Sequence, residues 1–78
     1  MNQITYVIAR SEASYRIFIK RTGLSAFDYL YLYDVKAIHN AKSGTVFIIL
    51  KDCEKSVLGK QAQRILRYRL DLVRLREW

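Results

Sequence analysis

Two short apolar runs constrain the fold of this chain more than any other feature. Residues 4–9 read ITYVIA and residues 45–50 read TVFIIL. Neither run alternates regularly with polar residues, which is typical of strands that are covered on both faces, as parallel strands usually are. A third run, Asp28–Val35, does alternate, with tyrosines on one face and leucines on the other. The sequence therefore predicts three strands.

The segment between the first two strands carries the signals of a helix. Ser11 suits the N-cap, Glu12 suits the first turn, and Gly23 suits the left-handed residue that follows a helix. In this helix, three residues are expected to face the core: Ala13, Ile17 and Phe18. A strand remains an alternative for residues 12–22, because YRIFIK has high β propensity. A hairpin would then replace the crossover.

A second, shorter helix is predicted for Asp34–Ala41, with Asp34 as its cap, and Ser43-Gly44 would then turn the chain into the third strand. The order of elements gives one α/β domain over residues 1–78. We expect a three-stranded parallel sheet of order 2-1-3 with right-handed crossovers and helices on both faces. Half of the residues are apolar and proline is absent, a composition that argues against disorder.

The last predicted element is a long basic amphipathic helix, indicated by the pattern of Lys60–Trp78. We expect this helix to begin near Glu54 and to end near Glu77. Apolar residues would cluster on one side of it: Leu58, Ala62, Ile65, Leu66, Leu72 and Val73. Arg69 falls in the middle of this apolar stripe, and an unpaired buried guanidinium is not tolerated. Either the helix leaves the core near Arg69 or Arg69 meets a carboxylate. Asp71 is expected to pair with Arg67 or Arg74.

The charge balance points to an anionic partner. Fourteen Lys and Arg residues against seven Asp and Glu residues give a net charge of +7, which favours nucleic acid or an acidic protein surface. The candidate binding residues are Lys60, Arg64, Arg67, Arg69, Arg74, Arg76 and Trp78. Three interpretations remain open: a site for a protein complex, a site for DNA or RNA, and a solvated face without a partner.

The same helix would also expose apolar residues if it extended beyond the core. The residues concerned are Leu70, Leu72, Val73 and Leu75. Because an exposed apolar patch usually marks a partner surface, the sequence predicts that a second copy of the chain could form a homodimer through the C-terminal helix.

Other candidate sites are weaker. Arg10 and Ser11 follow the first strand at a helix N-terminus, which makes them a candidate anion site, although Ser11 can equally be only a cap. Such a rim could serve an enzyme for a phosphorylated ligand, the least supported hypothesis. The three scattered glycines match neither a phosphate loop nor a dinucleotide fingerprint. His39 and Cys53 are too few for a zinc site and are not expected to touch. We therefore expect no catalytic residues, no metal and no cofactor.

The tyrosine face of the second strand allows two interpretations. Tyr29, Tyr31 and Tyr33 could stack unpaired bases if the sheet were open on that side. They could instead lie beneath a helix with their hydroxyls at the rim, and the proposed fold favours this covered arrangement.

The expected compartment is the cytoplasm, or the host cytoplasm if the chain is viral. Cys53 is the single cysteine, so no internal disulfide can form. No secretory signal is apparent. The longest apolar run, Val46–Leu50, is far shorter than the ~20 residues that span a bilayer, and we expect no membrane partner.

The order of these signals resembles a class of short proteins encoded by tailed bacteriophages. The resemblance covers about the first fifty residues: Tyr6-Val7-Ile8-Ala9-Arg10, an amphipathic helix, Gly23-Leu24, Asp28 before an aromatic strand, a short helix, and Thr45-Val46-Phe47-Ile48-Ile49. It implies a reduced Rossmann-like or helicase-like half without its phosphate loop, and no catalytic residues to transfer. It also implies an accessory role in infection, in which the protein binds and modulates or inhibits a host complex. The long basic helix departs from this pattern.

Overall fold

A computed structural model describes residues 4–76 and shows an α/β protein with one parallel sheet. The four strands are β1 (Thr5–Ile8), β2 (Tyr29–Tyr31), β3 (Val46–Ile49) and β4 (Val73–Arg76), in the order β2-β1-β3-β4. The helices are α1 (Glu12–Thr22), α2 (Lys36–His39) and α3 (Val57–Leu66), and a 3₁₀ turn (Cys53–Lys55) precedes α3.

The core lies in two layers, one on each face of the sheet. On the α1 face it consists of Val7, Ala9, Tyr15, Phe18 and Leu50. On the α2 and α3 face it consists of Ile8, Leu32, Ile38, Phe47, Ile49, Cys53, Ala62, Leu66 and Leu72. The chain moves from β1 outward to β2 and then returns past β1 to β3, so crossovers of one hand place the helices on opposite faces. The predicted order 2-1-3 is confirmed for these strands, but a three-stranded sheet is wrong.

The helix predicted between the first two strands is confirmed, and the alternative strand is wrong. The Ser11 side chain accepts a hydrogen bond from the backbone N–H of Ser14 at 3.2 Å. Gly23 has φ +74° and donates its N–H to the carbonyl of Ile19 at 2.9 Å, which is the left-handed ending that glycine permits.

The buried face of α1 agrees with the prediction at Phe18 and differs from it at Ala13 and Ile17. Tyr15 and Phe18 are buried, whereas Ala13 is exposed and Ile17 is 66% exposed. The aromatic side chains remove more apolar area from water than alanine and isoleucine would, so the helix is rotated to bury them.

The prediction of a long C-terminal helix is wrong. The helix α3 ends at Leu66, and the chain turns and continues as β4. Val73 donates its N–H to the carbonyl of Thr45 at 3.0 Å and pairs with Val46. Residues 73–76, VRLR, alternate apolar and basic side chains, a period that suits a strand, and β3 offers an otherwise unpaired edge. Glu77 and Trp78 lie outside the described residues.

The second helix is shorter than predicted, spanning Lys36–His39 instead of Asp34–Ala41. The Asp34 carboxylate nevertheless accepts a hydrogen bond from the backbone N–H of Lys36 at 2.9 Å. This contact satisfies one of the free N–H groups at the start of α2, which is the role that the sequence predicted for Asp34.

Gly59 allows α3 to pack directly against the preceding 3₁₀ turn. A Cβ atom at Gly59 would lie 1.8 Å from the carbonyl oxygen of Cys53, far inside van der Waals contact. Ser56 caps the same helix by accepting the N–H of Gly59 at 3.0 Å. Glycine is therefore required here by close approach, although in an isolated helix it would cost about 1 kcal/mol relative to alanine.

Candidate binding surface on α3 and β4

Five of the seven predicted binding residues lie on one side of the molecule. Lys60, Arg64 and Arg67 are exposed and occur at the i, i+4 and i+7 positions of α3 and its C-cap, so they share a face. Arg74 and Arg76 of β4 pair with Phe47 and Ile49, which belong to the core on the α3 face. Because paired residues of neighbouring strands point to the same face, both arginines point toward α3.

These side chains line two adjoining depressions. One, of about 270 Å³, is lined by Glu54, Lys60, Gln63, Arg64 and Arg67. The other, of about 60 Å³, is lined by Ile49, Gln63, Leu66, Arg67, Arg74 and Arg76. Since both include Gln63 and Arg67, they form one continuous surface. We call it the α3–β4 groove, defined by Lys60, Gln63, Arg64, Arg67, Arg74 and Arg76.

The groove carries excess positive charge. Within residues 4–76, none of its five cationic side chains forms an ion pair with a carboxylate. Glu54 is the acidic residue among those that line the two depressions. Clustered charges of one sign in a concave surface concentrate counter-ions and attract an oppositely charged partner.

Arg69 is not part of this groove, contrary to the prediction. Its guanidinium donates to the backbone carbonyls of Ile38, His39 and Ala41, at 2.9, 3.2 and 2.8 Å, at the C-terminal end of α2. It also donates to both carboxylate oxygens of Asp71 at 3.0 Å. All its donors are therefore occupied inside the protein. We call these contacts the Arg69 clamp.

The clamp confirms one of the two sequence expectations for Arg69, that it meets a carboxylate. The partner is Asp71, so the expected pairing of Asp71 with Arg67 or Arg74 is wrong. Asp71 also accepts the hydroxyl of Ser43 at 2.6 Å. The hydrogen bonds from Arg69 and Ser43 hold the pKa of Asp71 well below its usual range, and the Asp71 hydrogen bond raises the pKa of Arg69.

The opposite side of β4 is apolar. Leu75 pairs with Ile48, on the α1 face of the sheet, and Val73 and Leu75 are 42% and 52% exposed. Leu70 in the preceding turn is exposed, but Leu72 is buried. Leu70, Val73 and Leu75 are thus exposed, but they lie on a turn and a strand and not on the overhanging helix that was predicted to present them. The homodimer was predicted through a helix, and this segment is a turn and a strand instead.

The candidate anion site lies at the carboxyl ends of β1 and β3, where the strand order reverses. Arg10 is exposed, and Ser11 is engaged in capping α1. Ser14, in the first turn of α1, donates its hydroxyl to Asp52 at 2.7 Å. This end of α1 therefore has a carboxylate of its own as a neighbour, and anion binding at Arg10 and Ser11 stays a prediction.

The structure does not bring His39 and Cys53 together as a catalytic pair. The His39 side chain is exposed, whereas Cys53 is buried and accepts a hydrogen bond from the Gln63 amide at 2.8 Å. Burial raises the pKa of the Cys53 thiol, and the Gln63 hydrogen bond opposes that effect. A thiol held in its neutral form is a poor nucleophile and a poor metal ligand.

The tyrosines of β2 are largely covered, as the sequence favoured. Tyr29 and Tyr31 are half-buried against α1. The rings of Tyr31 and Tyr15 lie 5.6 Å apart, and the Tyr15 hydroxyl donates to the carbonyl of Tyr29 at 2.5 Å. Burial raises the pKa values of both Tyr15 and Tyr31. Tyr33 lies beyond the strand and is 80% exposed.

A larger cavity of about 420 Å³ lies beside β2 on the other face. Its lining includes Tyr6, Leu30, Tyr33, Asp34, Lys36 and Ala37. No local sequence signal marks this cavity, because Leu30 and Tyr6 meet there only after the strands pair. Among the described residues, no group of three or more His, Cys, Asp or Glu side chains is placed to hold a metal ion. No helix within residues 4–76 is long and apolar enough to cross a bilayer.

The fold and the groove together define a small parallel α/β protein with a basic surface at one edge of its sheet. No protein-family model matches the chain, and neither the curated proteins nor the solved structures give a match.

Proposed function

We propose that this chain is a small interaction protein, without catalytic chemistry of its own, that binds a protein or nucleoprotein complex through the α3–β4 groove and the adjoining face of β4. The observation that carries the proposal is the arrangement of β4. This strand shows Arg74 and Arg76 on one face and exposed Val73 and Leu75 on the other.

A mixed surface of this kind fits a protein partner better than a phosphate backbone. Protein interfaces combine apolar and aromatic contacts with arginine, and exposed Tyr68 and Leu70 lie in the turn that leads into β4. Phosphate contacts alone would leave these apolar side chains without a role.

The resemblance to short tailed-phage proteins supports a more specific version of this proposal. In that version the partner is a host complex in the cytoplasm, and binding modulates or inhibits it. This version of the proposal is supported by an analogy of sequence signals over about the first fifty residues, and not by a shared site.

The test is affinity capture from a nuclease-treated lysate of a bacterial host, with Arg64→Ala/Arg67→Ala as the groove variant. The matched control is Lys20→Ala/Lys42→Ala, which removes the same charge from exposed positions outside the groove. We expect the wild type and the control to retain one stoichiometric protein, and the groove variant to retain at least tenfold less. Equal recovery by the two double variants would contradict the proposal.

A second candidate function is binding of DNA or RNA, favoured by the five cations of the groove and their lack of ion pairs within residues 4–76. Each phosphate that the protein neutralises releases counter-ions, so log affinity falls linearly with log salt concentration. We expect Arg64→Ala/Arg67→Ala to weaken binding to all sequences about equally and to reduce the salt slope by roughly 2. A flat salt response with single- and double-stranded probes would exclude this function.

A further inference from the structure

The outer backbone edge of β4 is unpaired among the residues that the structure describes. Val73 donates its N–H to Thr45 of the β3 side. Successive residues in a strand point their N–H and C=O groups to opposite edges. The backbone groups of Val73 and Leu75 therefore face β3, whereas the backbone groups of Arg74 and Arg76 face outward. β4 is the last strand in the order, and within residues 4–76 no strand pairs with its outer side.

At β2 the protein itself occupies the outward groups of one residue, Tyr29. Leu32 donates its N–H to the carbonyl of Val7. Because the backbone groups of successive residues alternate between the two edges, the N–H and C=O groups of Tyr29 point away from β1. The outward N–H of Tyr29 is bonded to the carbonyl of Ser25 at 3.0 Å, and its outward carbonyl accepts the Tyr15 hydroxyl. Only β4 therefore combines free edge groups with the basic groove in the described part of the chain.

We propose that β4 receives an extended segment of the partner as a fifth strand, and that this segment alternates acidic and apolar residues. This inference rests on the proposed function, since it names the chemistry of the partner at the same surface. Addition of a strand to an exposed edge is a recurring mode of peptide recognition, in which the main chain supplies hydrogen bonds and alternate side chains supply specificity.

The two faces of β4 select that alternation. An added strand places every second side chain on the groove face, beside Arg74 and Arg76, where carboxylates form opposite-charge cross-strand pairs. The intervening side chains lie beside Val73 and Leu75, which are half-exposed and gain apolar cover. The charged face and the apolar face of β4 thus determine both the composition of the added segment and which of its side chains lie on each face.

A second copy of the chain is disfavoured as the occupant. Two β4 strands paired edge to edge about a twofold axis normal to the sheet would place Arg74 and Arg76 of both copies on one face. Like charges on neighbouring strands destabilise the pairing, and charged side chains on edge strands are a common means of preventing self-association. The arginines therefore act against homotypic pairing and in favour of an acidic strand.

The first test uses a blocked peptide of alternating glutamate and valine with ¹⁵N-labelled protein. At saturation we expect hydrogen exchange of the Arg74 amide to slow at least tenfold, while the Leu75 amide, which already faces β3, changes much less. A lysine–valine peptide of the same length is expected not to bind. Failure of the glutamate–valine peptide to bind, or binding without protection of Arg74, would overturn the inference.

A second peptide separates backbone pairing from charge attraction. The glutamate–valine peptide with N-methyl groups along its centre keeps its charge and side chains but loses its central hydrogen-bond donors on both edges. We expect it to bind at least tenfold more weakly than the unmodified peptide. Equal binding would show that charge alone drives the contact and would overturn strand addition.

The protein offers a matched pair of variants. Arg74→Ala removes the side chain and keeps the outward N–H, whereas Arg74→Pro also removes that N–H without taking a bond from β3. We expect Arg74→Pro to bind the peptide at least tenfold more weakly than Arg74→Ala, and equal binding would contradict the inference. Should proline unfold the protein, the N-methylated peptide decides. If groove-dependent capture of the lysate partner persists in folded Arg74→Pro, strand addition fails while the proposed function stands.

Discussion

The two edge strands of the sheet, β2 and β4, each end a strand–helix–strand unit, but their outer backbone groups are paired differently. At β2, the loop residue Ser25 and the Tyr15 hydroxyl occupy the outward groups of Tyr29. At β4, all four side chains are exposed and the outward groups of Arg74 meet no residue of the described chain. The difference shows that a loop carbonyl and a tyrosine hydroxyl occupy the outward groups of Tyr29 at the β2 edge, whereas the outward groups of Arg74 at the β4 edge are left accessible.

The two units also differ in what holds their outer strand in place. The tyrosines of β2 pack beneath α1 with Tyr15 and Phe18. The side chains of β4 are outside both core clusters, so the strand relies on its ladder with β3, on buried Leu72 just before it and on the Arg69 clamp. The β4 edge should therefore be the less stable of the two, in keeping with the tendency of binding segments to come from regions of low local stability.

The largest expected effect comes from Gly59→Ala, which tests the packing of α3 in the β4 unit. The added Cβ meets the Cys53 carbonyl, so backbone must move, and we expect a loss of about 3 kcal/mol in unfolding free energy, measured by chemical denaturation. The control is Gly23→Ala, where no atom lies within 4 Å but φ is +74°, with an expected loss of about 1–2 kcal/mol. Stabilisation by Gly59→Ala, as helix propensity alone predicts, would contradict the close contact.

Arg69→Ala should separate the two edges. Removal of the guanidinium frees three carbonyls of the α2 end and the Asp71 carboxylate. We expect the Tm to fall by several degrees, and amide exchange to accelerate more in β4 than in β2. Arg67→Ala, two residues earlier and without an ion pair in residues 4–76, is the control and should change stability by no more than about 0.5 kcal/mol. Equal acceleration in both edge strands would show that the clamp does not hold β4 specifically.

The same clamp predicts a dependence on pH. The pKa of Asp71 is lower in the folded protein than in the unfolded chain, so its stabilising effect is complete above the usual aspartate pKa of about 4. The effect is lost as pH falls below that value toward the folded pKa. The Tm difference between wild type and Asp71→Asn should therefore be constant from pH 5 to 7 and shrink as the pH falls from about 4. A difference independent of pH would exclude the ionic contribution.

Tyr15→Phe has the smallest expected effect on stability and acts on the β2 edge. It removes the hydroxyl that covers the Tyr29 carbonyl, and we expect a loss of about 1 kcal/mol. Tyr33→Phe, at an 80% exposed position, should be neutral in the same denaturation measurement. If Tyr15→Phe also leaves stability unchanged, the hydroxyl does not close the β2 edge, and the contrast with β4 weakens.

Local signals predicted most of the first half of the fold, although they left a strand open as an alternative for residues 12–22. Ser11 and Gly23 cap α1 through contacts within four residues, and the apolar runs that became β1 and β3 needed no long-range information to be recognised. The predicted order 2-1-3 followed from the crossover rule. The covered tyrosines Tyr29 and Tyr31 followed from the same layered arrangement.

The second half depended on contacts between distant residues. A helical projection placed Arg69 in an apolar stripe, and this conflict was the available signal that the helix ends earlier. The VRLR alternation of residues 73–76 was the signal for β4, but it competes with helical spacing until the free edge of β3 is known. The basic residues of α3 could be predicted as one face, whereas their junction with Arg74 and Arg76 required the strand.

The Arg69 clamp also bears on the order in which the protein acquires its structure during synthesis. The carbonyls at the end of α2 belong to residues 38–41, and their donors arrive about thirty residues later in the chain. When β1, α1 and β2 of a nascent chain have emerged, the Arg69 guanidinium that bonds the carbonyls at the end of α2 is therefore still missing. Chains emerge from the ribosome with their N-terminal part first. We therefore expect a ribosome-bound intermediate to form the packing on the α1 face of the sheet before the packing on the α2 and α3 face is complete.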